Sequence, residues 1–223
     1  MAKLVFQVHG ADAVGRVVVR KQLRRSELLR FLGALEPCVV AMEACGSAHY
    51  WGREIARLGH DVRLIAPAYV KPFVKRQKND AADAEAICEA AQRPSMRFVA
   101  VKSEERQAAA LVFRTRDLLV RQRTQTINAL RSHLAEFGMI APKGPASIAA
   151  LAARLGEPGE KLPIEARIML EVLADTISTL EGRIAQLDAE IGRRAREDET
   201  ARRLMTIPGV GPITATAMAA LAP

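Results

Sequence analysis

The sequence predicts a mixed α/β domain followed by a long helical region. Three observations carry this. Strand and helix signals alternate over the first hundred residues; a 3.5-residue apolar period runs through residues 170–191; glycine and proline signals cluster between and after the helical stretches. The chain has 223 residues, 49% of them hydrophobic and 26% charged, which is ordinary for a folded protein with a real core.

In the first part, Val5, Phe6 and Val8 open a strand. Gly10–Gly15 reads as a turn, and Arg16–Arg20 as the returning strand of a hairpin. Ser26 and Glu27 start a short helix through Leu28, Leu29 and Leu32, which Gly33 ends. Cys38–Met42 is a continuous apolar run, the pattern of a strand covered on both faces. Helical spacing from Ser47 to Leu58 stops at Gly59, and Val62–Ile65 is the next strand. This βαβ order requires a parallel pair in a mixed sheet with helices packed on it. A further helix is expected from Asp80 to about Gln92.

After Ser103 the pattern becomes helical. Glu104–Phe137 reads as one long helix, and loop signals fill Gly138–Gly159. A second long helix begins after Pro163. Its apolar residues Leu170, Leu173, Ile177, Leu180, Ile184, Leu187 and Ile191 step by three and four, the heptad period of a coiled coil. The two helices can pair with each other or with another chain; an amphipathic helix in a globular core is the plainer alternative. Ile207-Pro-Gly-Val-Gly-Pro-Ile-Thr resembles the turn of a helix–hairpin–helix, whose backbone N–H groups can hold a phosphate. A simple interhelical turn would look the same.

The formal net charge of +8 favours a polyanionic partner, with nucleic acid ahead of an anionic membrane. No apolar run reaches the length of a membrane span, and no signal peptide is expected at the N-terminus. Three cysteines without a CxxC pair exclude a disulfide scaffold or cysteine-rich zinc site and fit a reducing compartment. His9, His49, His60 and His133 lack zinc spacing. Aromatic residues are 4% of the chain, too few for a base-stacking platform.

Candidate chemistry falls on carboxylates. Glu43 follows the strand ending at Met42, and strand C-termini are where open α/β sheets place their sites. Asp80 and Asp83 are three apart at a helix start, hence on one face. Together they could share Mg²⁺ or Mn²⁺, hard ions suited to oxygen donors and to phosphodiester chemistry. Acid pairs at helix N-termini also arise simply as solvated, dipole-favoured residues. The cations just before them, Lys71, Lys75, Arg76 and Lys78, shift the balance toward a phosphate-backbone substrate. Glu85 and Glu89 read as surface acids, Cys45 as a small packed residue and Asp12 as a turn former.

These segments also carry a resemblance. Ala41-Met42-Glu43-Ala44-Cys45-Gly46-Ser47-Ala48-His49-Tyr50-Trp51, Val62–Ile65, Tyr69–Phe73 and Lys78-Asn79-Asp80-Ala81-Ala82-Asp83-Ala84-Glu85-Ala86-Ile87 resemble the DEDD-type transposases of bacterial insertion sequences, the IS110 family and its IS1111 branch. Arg114–Asp117, Asn128–Arg131 and Ile207–Gly211 share the likeness. The resemblance implies an α/β RNase-H-like (RuvC-like) nuclease domain over residues 1–100. A helical coiled-coil region over 101–198 and the start of a C-terminal transposase domain over 199–223 would follow. It implies transposition or site-specific recombination of an insertion sequence, with Glu43, Asp80 and Asp83 as metal-holding catalytic acids.

By the same resemblance, Lys71–Lys78 and Arg114, Arg121 and Arg123 would hold DNA or a guide (bridge) RNA, the coiled coil would join subunits, and the setting would be the bacterial cytoplasm and nucleoid. The family's first aspartate would fall just upstream of Met1, and its nucleophilic serine beyond Pro223. An incomplete, recombination-inactive copy is therefore expected. A non-catalytic nucleic-acid-binding protein and a coiled-coil oligomerisation module are the alternatives.

Overall fold

The computed structural model describes residues 4–74, 79–140 and 162–221, which fall into two compact units, residues 1–104 and 105–222. In the first unit, β1 (Val5–Ala11) and β2 (Val17–Arg24) form an antiparallel hairpin with Val5 opposite Arg24 and Gly10 opposite Val19. The turn starts two residues later than glycine spacing alone predicts, at Asp12, which closes it. Its carboxylate accepts N–H bonds from Val14 at 3.0 Å and Arg16 at 2.8 Å, while Arg16 Nε donates at 2.8 Å. The Arg16 N–H is the main reason the Asp12 carboxyl titrates below its ordinary range.

A single 3₁₀ turn (Arg25–Glu27) leads into α1 (Leu28–Gly33). β3 (Val39–Glu43), α2 (Ala48–Arg57) and β4 (Asp61–Ile65) form the expected βαβ unit, with β3 and β4 parallel from Val39 opposite Asp61 to Glu43 opposite Ile65. β5 (Phe98–Val99) adds antiparallel to β4, giving a three-stranded mixed sheet of order β3-β4-β5. The hairpin is a separate two-stranded sheet. Between β4 and β5 lie α3 (Pro67–Val70), a 3₁₀ turn (Lys71–Phe73) and α4 (Asp80–Ala91).

Strand alternation sorts the side chains of β3 to two cores. Val40 and Met42 pack against Phe6, Leu23, Leu28, Leu32, Trp51 and Ile55, where Phe6 and Trp51 meet edge to face at 5.1 Å. Ala41 faces the other way, onto Ile65, Val70, Ala86 and Ala90. β3 is therefore covered on both faces, yet it is not the buried strand its apolar run suggests. None of its five residues is fully buried and Val39 is 48% exposed, because β4 pairs with one edge and a cavity borders the other. The fully buried positions are Leu64 and Ile65 on β4.

His60 is buried between α1 and β3. Its Nδ1 accepts the Cys38 N–H at 3.2 Å and its Nε2 lies 3.0 Å from the Leu32 carbonyl, so the ring joins two elements rather than a ligand. Gly52 marks a close approach: a Cβ there would meet the Val101 side chain at 3.0 Å.

The second unit is built on α5 (Glu104–Ala135) and α6 (Ile164–Glu197). They run antiparallel. Arg116, early in α5, bonds Asp188, late in α6, while Leu130 and Leu134 at the end of α5 pack with Leu170 and Ile177 at the start of α6. The heptad period is thus used within the chain. Leu170, Ile177, Ile184 and Ile191 are buried, whereas Leu173, Leu180 and Leu187 are half-buried.

α7 (Glu199–Leu204) is capped by Asp198, which accepts the Ala201 N–H at 2.8 Å. A turn with Gly209 at φ +83° leads to α8 (Pro212–Leu221), and both short helices pack on α6. Among the described residues no helix is long and apolar enough to cross a membrane.

Candidate active site

β3 stops at Glu43 for a local reason. The Ala44 N–H still donates to the Ile65 carbonyl at 2.7 Å, but the Cys45 N–H turns back to the Glu43 carbonyl at 2.8 Å. Ser47, the one non-glycine residue with positive φ among those described, then opens α2 from the left-handed region at φ +69°. That conformation costs a non-glycine residue of order 1 kcal/mol. The sharp exit leaves the Glu43 carboxylate at the C-terminal end of the parallel pair.

Asp80 and Asp83 sit in the first turn of α4. Asn79 caps this helix by accepting the Ala82 N–H at 2.8 Å, and the Asp83 N–H donates to the Asn79 carbonyl at 3.0 Å. The orphan N–H groups and dipole of that turn favour negative charge there. Because α4 packs across β1 and β3, it carries both aspartates to the side where β3 ends.

Glu43, Asp80 and Asp83 line one cavity of about 1150 Å³, walled by β1, α1, β3 and α4. Its donor chemistry suits a hard divalent ion, since the carboxylates offer only oxygen. They do not close on a point, however: among the described residues no three His, Cys, Asp or Glu side chains converge to hold a metal.

Sequence reasoning missed several residues of this cavity. Gln7 and His9 reach it from β1, and all three cysteines, Cys38, Cys45 and Cys88, border it. Val5, Phe6 and Val8 of β1 line the same cavity, so the period of two along the strand does not by itself single out Gln7 and His9. Arg63 and Arg93 are also on the wall. Arg63 bonds Asp61 at 2.8 Å and lies over Phe98; Arg93 pairs with Glu89 at 2.5 Å and lies over Phe73. Glu85, read as a surface acid, lies 3.4 Å from Arg20 of β2.

Of the expected backbone-binding cations, Lys71 is exposed in its 3₁₀ turn, while Lys75, Arg76 and Lys78 lie outside the described residues. Arg114 and Arg121 are exposed on α5 in the second unit, and Arg123 is half-buried. Arg121 pairs with Asp117 at 2.6 Å.

Comparison with known proteins shows the family of the chain. A family model for DEDD transposases of the IS110 type, described as transposase, matches residues 1–139. A probable family 20 transposase of Pseudomonas aeruginosa is 51% identical over 224 residues, covering 100% of this chain and 66% of that protein. The transposase for insertion sequence element IS1328 of Yersinia enterocolitica is 43% identical, covering 98% of this chain and 65% of its own length. The transposase for IS1111A of Coxiella burnetii is 36% identical, covering 96% and 59%. The chain spans between about half and two thirds of the length of these curated relatives. A profile matching more than half of the chain, laid over the segment that carries Glu43, Asp80 and Asp83, assigns it: the chain belongs to the IS110 family of DEDD transposases.

Proposed function

We propose that this chain serves DNA transposition, the site-specific recombination of an insertion sequence, and that its first unit is an RNase-H-like (RuvC-like) nuclease domain. The observation that carries the reading is the placement of Glu43, Asp80 and Asp83 on one cavity at the C-terminal end of a parallel strand pair. The mixed sheet with helices on both faces supports the fold assignment. As they stand the three carboxylates do not converge. Holding Mg²⁺ or Mn²⁺ would require them to draw together around the ion, with water and substrate phosphate oxygens supplying much of its shell, as Mg²⁺ sites commonly do. Bound there, the ion would supply Lewis-acid stabilisation of the phosphodiester under attack. The chain's own contribution is position: β3 fixes Glu43, Asn79 fixes the start of α4, and the wall arginines offset negative charge brought in by a nucleic-acid strand.

The partners in this reading are DNA and a guide (bridge) RNA, held by the basic residues Lys71, Lys75, Arg76 and Lys78 and by the arginines of α5. A second copy would dock along α6 beside the half-buried Leu180 and Leu187, in the bacterial cytoplasm at the nucleoid. The test is strand cleavage of insertion-end DNA with and without Mg²⁺. Asp80→Ala should lower the cleavage rate at least a hundredfold, a loss of about 2.7 kcal/mol of transition-state stabilisation, while duplex affinity changes little. Equal rates for the wild type and Asp80→Ala, or the absence of Mg²⁺-dependent cleavage, would leave a non-catalytic binding protein.

A further inference from the structure

We infer that the outer face of α5 is a docking surface for B-form duplex DNA, lying in its major groove; this assignment rests on the nucleic-acid reading above. The two long helices differ in charge. Beyond Gln107, α5 carries five arginines against one aspartate, whereas α6 carries seven carboxylates against five arginines. The positive excess of the pair therefore sits on one helix.

On that helix the residues pointing away from the α6 seam form one stripe. Leu111, Arg114, Leu118, Arg121, Gln125 and Asn128 step by three and four, and all six are exposed. The stripe holds no carboxylate; the nearest, Asp117, stands at its border and pairs with Arg121 through two solvent-exposed side chains, a contact easily exchanged for a phosphate. Heptads that continued as a seam for a second copy would place apolar residues at 125 and 128, where Gln and Asn stand.

The chemistry of the stripe fits a groove. Arg donates to guanine or phosphate, Gln and Asn pair with adenine, and exposed Leu meets the thymine methyl. From Arg114 to Gln125 the helix rises about 16 Å, the length of a few base-pair contacts. A helix about 10–12 Å across enters a major groove about 12 Å wide, whereas the deep groove of A-form RNA excludes side chains. Phe113, the one aromatic residue of α5, is half-buried, so the stripe has no stacking platform for single strands.

The experiment measures binding of a 24-base-pair DNA duplex, the RNA duplex of the same sequence and single-stranded DNA across a salt series. Light scattering gives the mass of each variant. Arg114→Gln with Arg121→Gln should weaken DNA-duplex binding about tenfold and reduce the salt slope by about 1.8, or 0.9 per lost phosphate contact. Asp117→Asn should tighten it about threefold, by removing a carboxylate beside the phosphates. Arg183→Gln with Arg196→Gln on α6 should change it less than twofold. Duplex binding that responds equally to the α5 and α6 pairs overturns the α5 assignment and leaves the nucleic-acid reading standing. So does tighter binding of RNA or single strands, or a fall in mass in place of a fall in affinity. A wild type that binds none of the three polymers overturns both.

Discussion

The two units solve the burial problem in different ways, and the proposed chemistry and the proposed docking fall on opposite sides of that difference. The α/β unit covers the two faces of a thin strand layer with two small clusters and leaves a large cavity between the hairpin and β3, walled mostly by apolar side chains with Glu43, Asp80 and Asp83 among them. The helical unit runs a ladder of single large residues, Leu170, Ile177, Ile184 and Ile191, each in line with the next. A cavity edged by strand ends can gather carboxylates from distant parts of the sequence. A ladder cannot, but it stiffens a long helix whose outer face is then free to present arginines in register.

The comparison is broken first by attacking the ladder. Ile177 is 3% exposed, so Ile177→Glu places a charge in the seam at a cost on the order of 4 kcal/mol. Most of the far-UV helical signal should melt at lower temperature. Trp51, the single tryptophan and a residue of the α/β core, reports on the other unit, and its fluorescence transition should stay in place. The reciprocal change, Leu64→Ala on the fully buried β4, should cost about 3 kcal/mol and move the Trp51 transition. If Ile177→Glu shifts both signals together, the two cores fold as one.

What the residues disclosed follows the same division. The helical unit was legible because its pattern is local: a period held from Leu170 to Ile191 predicts α6, and Pro163 marks its start within a residue. What periodicity left open was the partner, since a heptad line is compatible with any second helix. Arg116 and Asp188, 72 residues apart, decide that, and no spacing rule connects them. In the α/β unit the hairpin, α1, the βαβ unit and α4 were legible from turn residues and apolar runs, but the four-residue α3, the two-residue β5 and the cavity were not. Glu43 and Asp80 lie on one wall only because α4 returns across β3, a tertiary fact that resemblance to a family anticipated and composition did not. Gln7 and His9 escaped notice because nothing in a hairpin strand's own pattern tells which distant element will close a cavity against it.

A smaller perturbation tests how the register of the α5–α6 pair is held. Arg116 Nε and one terminal nitrogen reach both oxygens of Asp188, and the side chains are 25% and 40% exposed. The bond raises the Arg116 pKa. Arg116→Ala should cost about 1–2 kcal/mol. The double variant with Asp188→Ala should cost less than the sum of the singles, revealing a coupling near 1 kcal/mol. Strict additivity in urea melts would show that the apolar ladder alone sets the register.

The smallest effect is electrostatic and confined to the end of α6. Glu190 accepts from Arg193 at 2.8 Å and from Arg194 at 2.7 Å, and these bonds, Arg193 first, lower its pKa from 4.5 to about 2. A carboxyl whose folded pKa is depressed binds fewer protons folded than unfolded in that interval. Its contribution is therefore complete above about pH 4.5 and is lost as the pH falls toward 2. Glu190→Gln should flatten the acid limb of the helical unit's stability between those values and leave the neutral region almost unchanged. Because the carboxylate faces solvent, added salt should shrink the difference between wild type and variant. The α/β unit, followed through Trp51, should show the same acid limb in both proteins. A Glu190→Gln profile that parallels wild type from pH 5 down to 2 at low salt would mean that the arginines form the same contacts in the unfolded chain, where an i, i+3 and i, i+4 pairing can persist in residual helix.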